Sequence, residues 1–104
     1  MNLAEWIFVG TRSELLPGEF KVVWDGDTAI AVYNIDGDLY AIEDVCTHDG
    51  GPLGEGRLSG DLVECPRHGA RFDVKTGAVR ALPAVRPIKT YPVQIQGEEV
   101  LIDA

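Results

Sequence analysis

With 104 residues, 45% of them hydrophobic and 25% charged, the chain has room for one folded domain with a real core and is too apolar for a disordered segment. Its formal net charge of −8 argues against nucleic acid as a partner, because phosphates repel such a surface. Of the 17 acidic residues, 11 lie in residues 1–56 against two bases, so the excess is confined to the first half. That half suits a basic protein partner or plain solubility.

The first ten residues hold neither a basic leader nor a long apolar run, which predicts no signal peptide, no membrane span and a cytoplasmic protein. Residues 4–9 (AEWIFV) read as a first strand that ends at Gly10. Residues 11–16 fit a short helical turn capped by Thr11 or Ser13 and stopped by Pro17-Gly18. Three strands follow at 20–24, 28–35 and 38–45, joined by Asp25-Gly26-Asp27 and Asp36-Gly37. Asp-Gly between β-type runs marks a hairpin, because a type I′ turn needs positive φ. The meander delivers the chain to Cys46 from the end of a strand.

Glycines and prolines crowd residues 47–60, which predicts loop with a two-residue strand at 57–58. Residues 61–64 read as a short strand ending at Cys65, and residues 69–74 return as another that turns at Lys75-Thr76-Gly77. Three prolines make 82–92 an irregular segment crossing the surface, over the ligand loops. Residues 93–96 and 99–102 close the chain as a hairpin around Gly97-Glu98. There is no sustained helical periodicity, no repeat and no linker. The reading is all-β, a single domain over 1–104.

Chemistry concentrates in two segments. Every cysteine and histidine of the chain falls in Cys46-Thr47-His48 or in Cys65-Pro66-Arg67-His68. Each segment supplies one soft thiolate and one imidazole, a donor set that suits zinc or iron–sulfur. A disulfide fits poorly, since each cysteine sits beside a histidine at ligand spacing and a leader-less chain implies reducing cytosol. Zinc would take all four in one tetrahedral site, although zinc fingers favour C-x₂₋₄-C and H-x₃₋₅-H spacings. Mixed pairs suit a two-iron cluster better, with both cysteines on one iron and both histidines on the other.

The pattern C-x-H, 16 intervening residues and C-x-x-H resembles the Rieske family. Gly51-Pro52-Leu53, Leu82-Pro83-Ala84 and Tyr91-Pro92-Val93 resemble its small soluble ferredoxins, of the kind serving aromatic-ring dioxygenases. The resemblance covers nearly the whole chain. It implies a Rieske-like stack of small antiparallel sheets, with two cluster-binding loops at about residues 45–72 inserted in a β base. One [2Fe-2S] cluster is implied, with Cys46 and Cys65 on the inner iron and His48 and His68 on the outer one. A one-electron carrier is implied too, taking electrons from a reductase and passing them to an oxygenase or another acceptor.

Rieske proteins of respiratory complexes carry an extra cysteine in each loop and Ser and Tyr hydroxyls after the second motif. Gly51 and Arg67 stand at the first two positions here, and Ala70 and Phe72 at the others. Missing donors leave the reduced cluster less stabilised, which predicts a potential toward the low end of about −150 to +300 mV.

Both histidines are used by the cluster, so none remains for the mononuclear iron of an oxygenase, and no G-x-G-x-x-G fingerprint is present. The chain is read as a carrier with no catalytic residue. The alternatives are a Rieske-like small subunit of a reductase such as nitrite reductase, and a structural zinc module. A Cys–His nucleophilic enzyme lacks a third orienting group. Trp6, Trp24, Tyr33 and Tyr40 are expected in core or cross-strand packing, Arg67 and Arg71 as solvated loop residues, and Asp49 as loop polarity.

Overall fold

The structure, a computed structural model, describes residues 6–47, 53, 57–66, 69–82, 84 and 86–103. Its strands in chain order are β1 (Trp6–Thr11), β2 (Phe20–Asp25), β3 (Thr28–Ile35), β4 (Asp38–Glu43), β5 (Arg57–Ser59), β6 (Leu62–Glu64), β7 (Arg71–Asp73), β8 (Val79–Ala81), β9 (Thr90–Tyr91), β10 (Val93–Gln96) and β11 (Glu99–Asp103). A 3-10 turn, Arg12–Glu14, follows β1 and is tied by the Thr11 N–H donating to Glu14 Oε1 at 2.7 Å. The strands form three antiparallel sheets, ordered β1-β11-β10, β2-β3-β4-β9 and β5-β6-β7-β8. The fold is all-β, as the strand pattern and the turns predicted.

Strand β3 shows how the layers stack. Its run TAIAVYNI is buried from Ile30 onward on both faces, as an unbroken apolar strand should be. Because side chains alternate along a strand, Ile30 and Val32 face one way and Ala31, Tyr33 and Ile35 the other. The first pair joins Val9, Leu15, Ala41, Val100 and Ile102 in a core against the terminal sheet. The second set joins Cys46, Leu53, Val63, Cys65, Phe72 and Val74 in a core against the sheet that carries the ligand loops. The β2-β3-β4-β9 sheet is thus the middle layer.

The β3–β4 hairpin turns at Asp36 (φ 54°) and Gly37 (φ 98°), the paired positive φ of a type I′ turn. Asn34 is buried at this corner and fully used, its Nδ2 donating to the Leu15 carbonyl and its Oδ1 accepting from the Gly37 N–H, both at 2.8 Å.

The structure corrects several expectations. Strand β1 continues through Gly10 to Thr11, with a register shift between Phe8 and Gly10, so this glycine lies in a bulge rather than at an end. Strand β4 stops at Glu43, because the next backbone groups turn away: the Val45 N–H bonds to the Glu43 carbonyl at 2.8 Å. Strand β5 has three residues instead of two, and β8 was not expected at all, since a three-residue edge strand carries almost no periodicity. The described residues of this segment before Thr90 (82, 84 and 86–89) are irregular as predicted, although Thr90–Tyr91 pairs with the edge of β4. Tyr33 is core as expected, whereas Trp6 and Trp24 are exposed at 43% and 64%.

Candidate metal centre

Each ligand segment lies just beyond a strand, the first, at Cys46, three residues past β4 and the second, at Cys65, immediately after β6. The second loop is short and closed at its base, with the Cys65 N–H donating to the Ala70 carbonyl at 2.7 Å and the Gly69 N–H to the Cys65 carbonyl at 3.1 Å. The β6–β7 register that holds this loop pairs Val63 with Phe72 and Glu64 with Arg71, and Glu64 and Arg71 also form an ion pair at 3.8 Å.

The first loop is longer and is pinned by side chains. Asp44 Oδ1 accepts the Leu53 N–H at 2.8 Å, joining two points nine residues apart, while the Asp44 N–H holds the Ala29 carbonyl at 2.8 Å. Thr47, next to Cys46, donates its hydroxyl to the Arg86 carbonyl at 2.7 Å, and the Arg86 guanidinium returns a bond to the Thr47 carbonyl at 3.3 Å. The proline-rich segment therefore crosses this loop, as anticipated, and is itself anchored by buried Ala84 and Ile88. Sequence reasoning missed Asp44, Thr47 and Arg86, whose partners lie 9 and 39 residues away. An acid two residues before a ligand was the one local hint.

Thr47→Val is expected to lower stability by about 1 kcal/mol, roughly 4–8 °C in Tm, by losing one bridging hydrogen bond. Bound iron should be released several-fold faster to a chelator, with the reduction potential unchanged. Chelator-release kinetics and a thermal melt check both halves.

The two cysteines are brought together. Cys46 and Cys65 are 0% and 1% exposed, belong to one apolar core, and are thiols rather than halves of a disulfide. Their neighbours in that core include Leu53, Val63, Ala70 and Phe72. Once deprotonated to bind metal, two thiolates in such surroundings would have their charge balanced by the bound cation, since isolated buried charge is prohibitively costly. Soft sulfur donors from two adjacent loops fit iron. His48, Asp49, Gly51, Pro52, Arg67, His68 and Pro83 lie outside the described residues, and among the described residues no group of three or more metal-binding side chains occurs.

The model of the Rieske [2Fe-2S] domain matches residues 5–92. The chain belongs to the Rieske [2Fe-2S] family. It is 42% identical over 93 residues to the ferredoxin component of biphenyl 2,3-dioxygenase from Rhodococcus jostii (strain RHA1), covering 89% of this chain and 87% of that one. It is 38% identical over 99 residues to the ferredoxin component of the naphthalene 1,2-dioxygenase system from Pseudomonas putida, with 95% of each chain covered. A chain in a solved complex of reduced oxygenase and oxidized ferredoxin of carbazole 1,9a-dioxygenase superposes with a TM-score of 0.91 at 37% identity, over 94% of this chain and 92% of that one.

This Rieske-type ferredoxin carries one [2Fe-2S] cluster and transfers electrons; it is not itself a catalyst. The cluster supplies a site that takes up and gives back one electron. The chain's part is to hold the site and to keep the buried thiolates from water. It must also keep both loops rigid, so that little reorganises when charge arrives. No helix among the described residues is long and apolar enough to cross a membrane.

Proposed function

We propose that Cys46 and Cys65 hold the inner iron and His48 and His68 the outer iron of the cluster, within a single domain spanning 1–104. The two loops, at about residues 45–72, stand on the β base formed by the other two sheets. The ferredoxin takes one electron from a reductase and delivers it to the oxygenase component of a dioxygenase that attacks aromatic rings, in the cytoplasm. The carrying observation is the burial of Cys46 and Cys65 in one core at the ends of β4 and β6. Each histidine follows its cysteine by two or three residues along the loop, away from the strand end. The relatives named as ferredoxin components of biphenyl and naphthalene dioxygenase systems support the partner assignment.

Two neutral imidazoles in place of thiolates leave the cluster less negative, so it accepts an electron more readily than an all-thiolate one. Ala70 and Phe72, buried beside Cys65, donate no side-chain hydrogen bond, which keeps the potential toward the low end of about −150 to +300 mV. A redox titration followed by electron paramagnetic resonance tests both points. The expected result is the g-average of mixed His/Cys ligation with a midpoint below zero. A silent spectrum in iron-loaded, reduced protein rules out the ligand set, and a midpoint well above zero rules out the low-potential reading.

A further inference from the structure

Among the described residues, the buried side-chain polar atom with no hydrogen-bond partner is the hydroxyl of Tyr33. The residue is 2% exposed, and its ring stacks on Phe20 at a centroid distance of 5.5 Å, so it is held in place. An unpaired buried hydroxyl is destabilising, and phenylalanine in the same space avoids that cost. The described residues offer this hydroxyl no hydrogen bond in return.

Its position says what does. Tyr33 lies on the face of β3 that looks toward the ligand loops and shares one apolar core with Cys46 and Cys65. Of the fully buried residues of that core, Tyr33 is the one with a hydroxyl. Burial, and secondly the carboxylate of Asp44 two residues before Cys46, push the phenol's pKa up, so it remains a protonated donor at any working pH. Donors near cluster sulfurs act on the potential, because an added electron makes the sulfurs better acceptors.

We propose that the Tyr33 hydroxyl is a hydrogen-bond donor to the cluster site, reaching it from the β base rather than from either ligand loop, and raises the reduction potential. The inference rests on the cluster assignment above. One electron enters on reduction and the phenol keeps its proton, so the coupling is electrostatic and independent of pH. Tyr33 is a tuning residue, and it touches neither reductase nor oxygenase.

The test is Tyr33→Phe in the cluster-loaded protein, beside the unaltered chain. The reduction equilibrium should shift three- to tenfold toward the oxidised form, about 30–60 mV lower at 59 mV per tenfold for one electron. The unaltered protein should show iron–sulfur stretching bands that move in deuterated water, and the variant should lose part of that shift. The vibrational experiment on the unaltered protein needs no variant. An unchanged midpoint in Tyr33→Phe overturns the inference, even where Tm changes, because a purely structural hydroxyl moves stability alone. Stretching bands insensitive to deuterium in the unaltered protein overturn it as well. Both results leave the cluster assignment standing, whereas an unaltered protein without Rieske-type spectra removes that assignment and the inference together.

Discussion

Replacing Cys65 or Cys46 with serine is expected to yield a colourless protein holding less than about a tenth of the normal iron and acid-labile sulfide. Serine is nearly the same size, so the effect lies in chemistry rather than shape. A hydroxyl is a hard donor that keeps its proton near neutral pH, while iron in a sulfide cluster prefers a thiolate. The sites leave no alternative ligand from water, because Cys46 and Cys65 are 0% and 1% exposed. The loss should also reach stability, since binding free energy at a site that the unfolded chain lacks is folding free energy. Among the described residues, Asp44, Thr47 and the backbone bonds at Cys65 and Gly69 would then still tie the two ligand segments to the fold. Iron and sulfide assays, visible absorption and a melt of each variant measure this. A serine variant that retains a full complement of iron and sulfide would remove that residue from the ligand set.

The second large effect is expected outside both ligand segments, at Gly77. This residue has φ +80°, and a methyl group there would press into the carbonyl oxygen of Ile88 and come within 3.1 Å of Thr90 Cγ2. The two backbones are also hydrogen-bonded, with the Ile88 N–H donating to the Gly77 carbonyl at 2.8 Å. A side chain in the left-handed region costs about 1–2 kcal/mol, and forcing extra volume into a packed contact about 1–3 more. Gly77→Ala should therefore lose roughly 2–5 kcal/mol, about 10–25 °C in Tm for a domain of this size. The segment that must yield carries Arg86, which holds Thr47, and Thr90, which pairs with Ile42 of β4. Iron loss should accelerate as well. Gly37→Ala is the control: φ is +98° there, but nothing stands within 4 Å of an added Cβ, so only about 1 kcal/mol of strain is expected. Equal melting temperatures for the two variants would show that the Ile88 contact is not limiting.

The candidate ligands were legible in the sequence because their signal is local. Using every cysteine and histidine of the chain in two matched pairs needs only counting, and C-x-H with C-x-x-H carries its chemistry in the residue types. The Asp36-Gly37 turn was equally plain, since a type I′ geometry narrows the residues that fit it. Strand β8 and the third residue of β5 were not, because edge strands this short are set by their neighbours rather than by their own pattern. Trp24 misled for a related reason. Its residue type suggested packing, but β2 is the edge of its sheet and leaves the residue 64% exposed.

From the sequence alone came the all-β class, the four candidate ligands, the absence of further histidines and the lack of hydroxyls at Ala70 and Phe72. Each follows from residue identity and spacing along a few neighbouring positions. Only the tertiary structure decided that β3 is buried between two layers and that Arg86 straps the first loop. It alone showed that Tyr33 lies in the cysteines' core with a hydroxyl that has no hydrogen-bond partner among the described residues. Those facts depend on which distant segments meet. Burial and hydrogen-bond satisfaction belong to the packed arrangement, where residues far apart in the chain exclude water from one another.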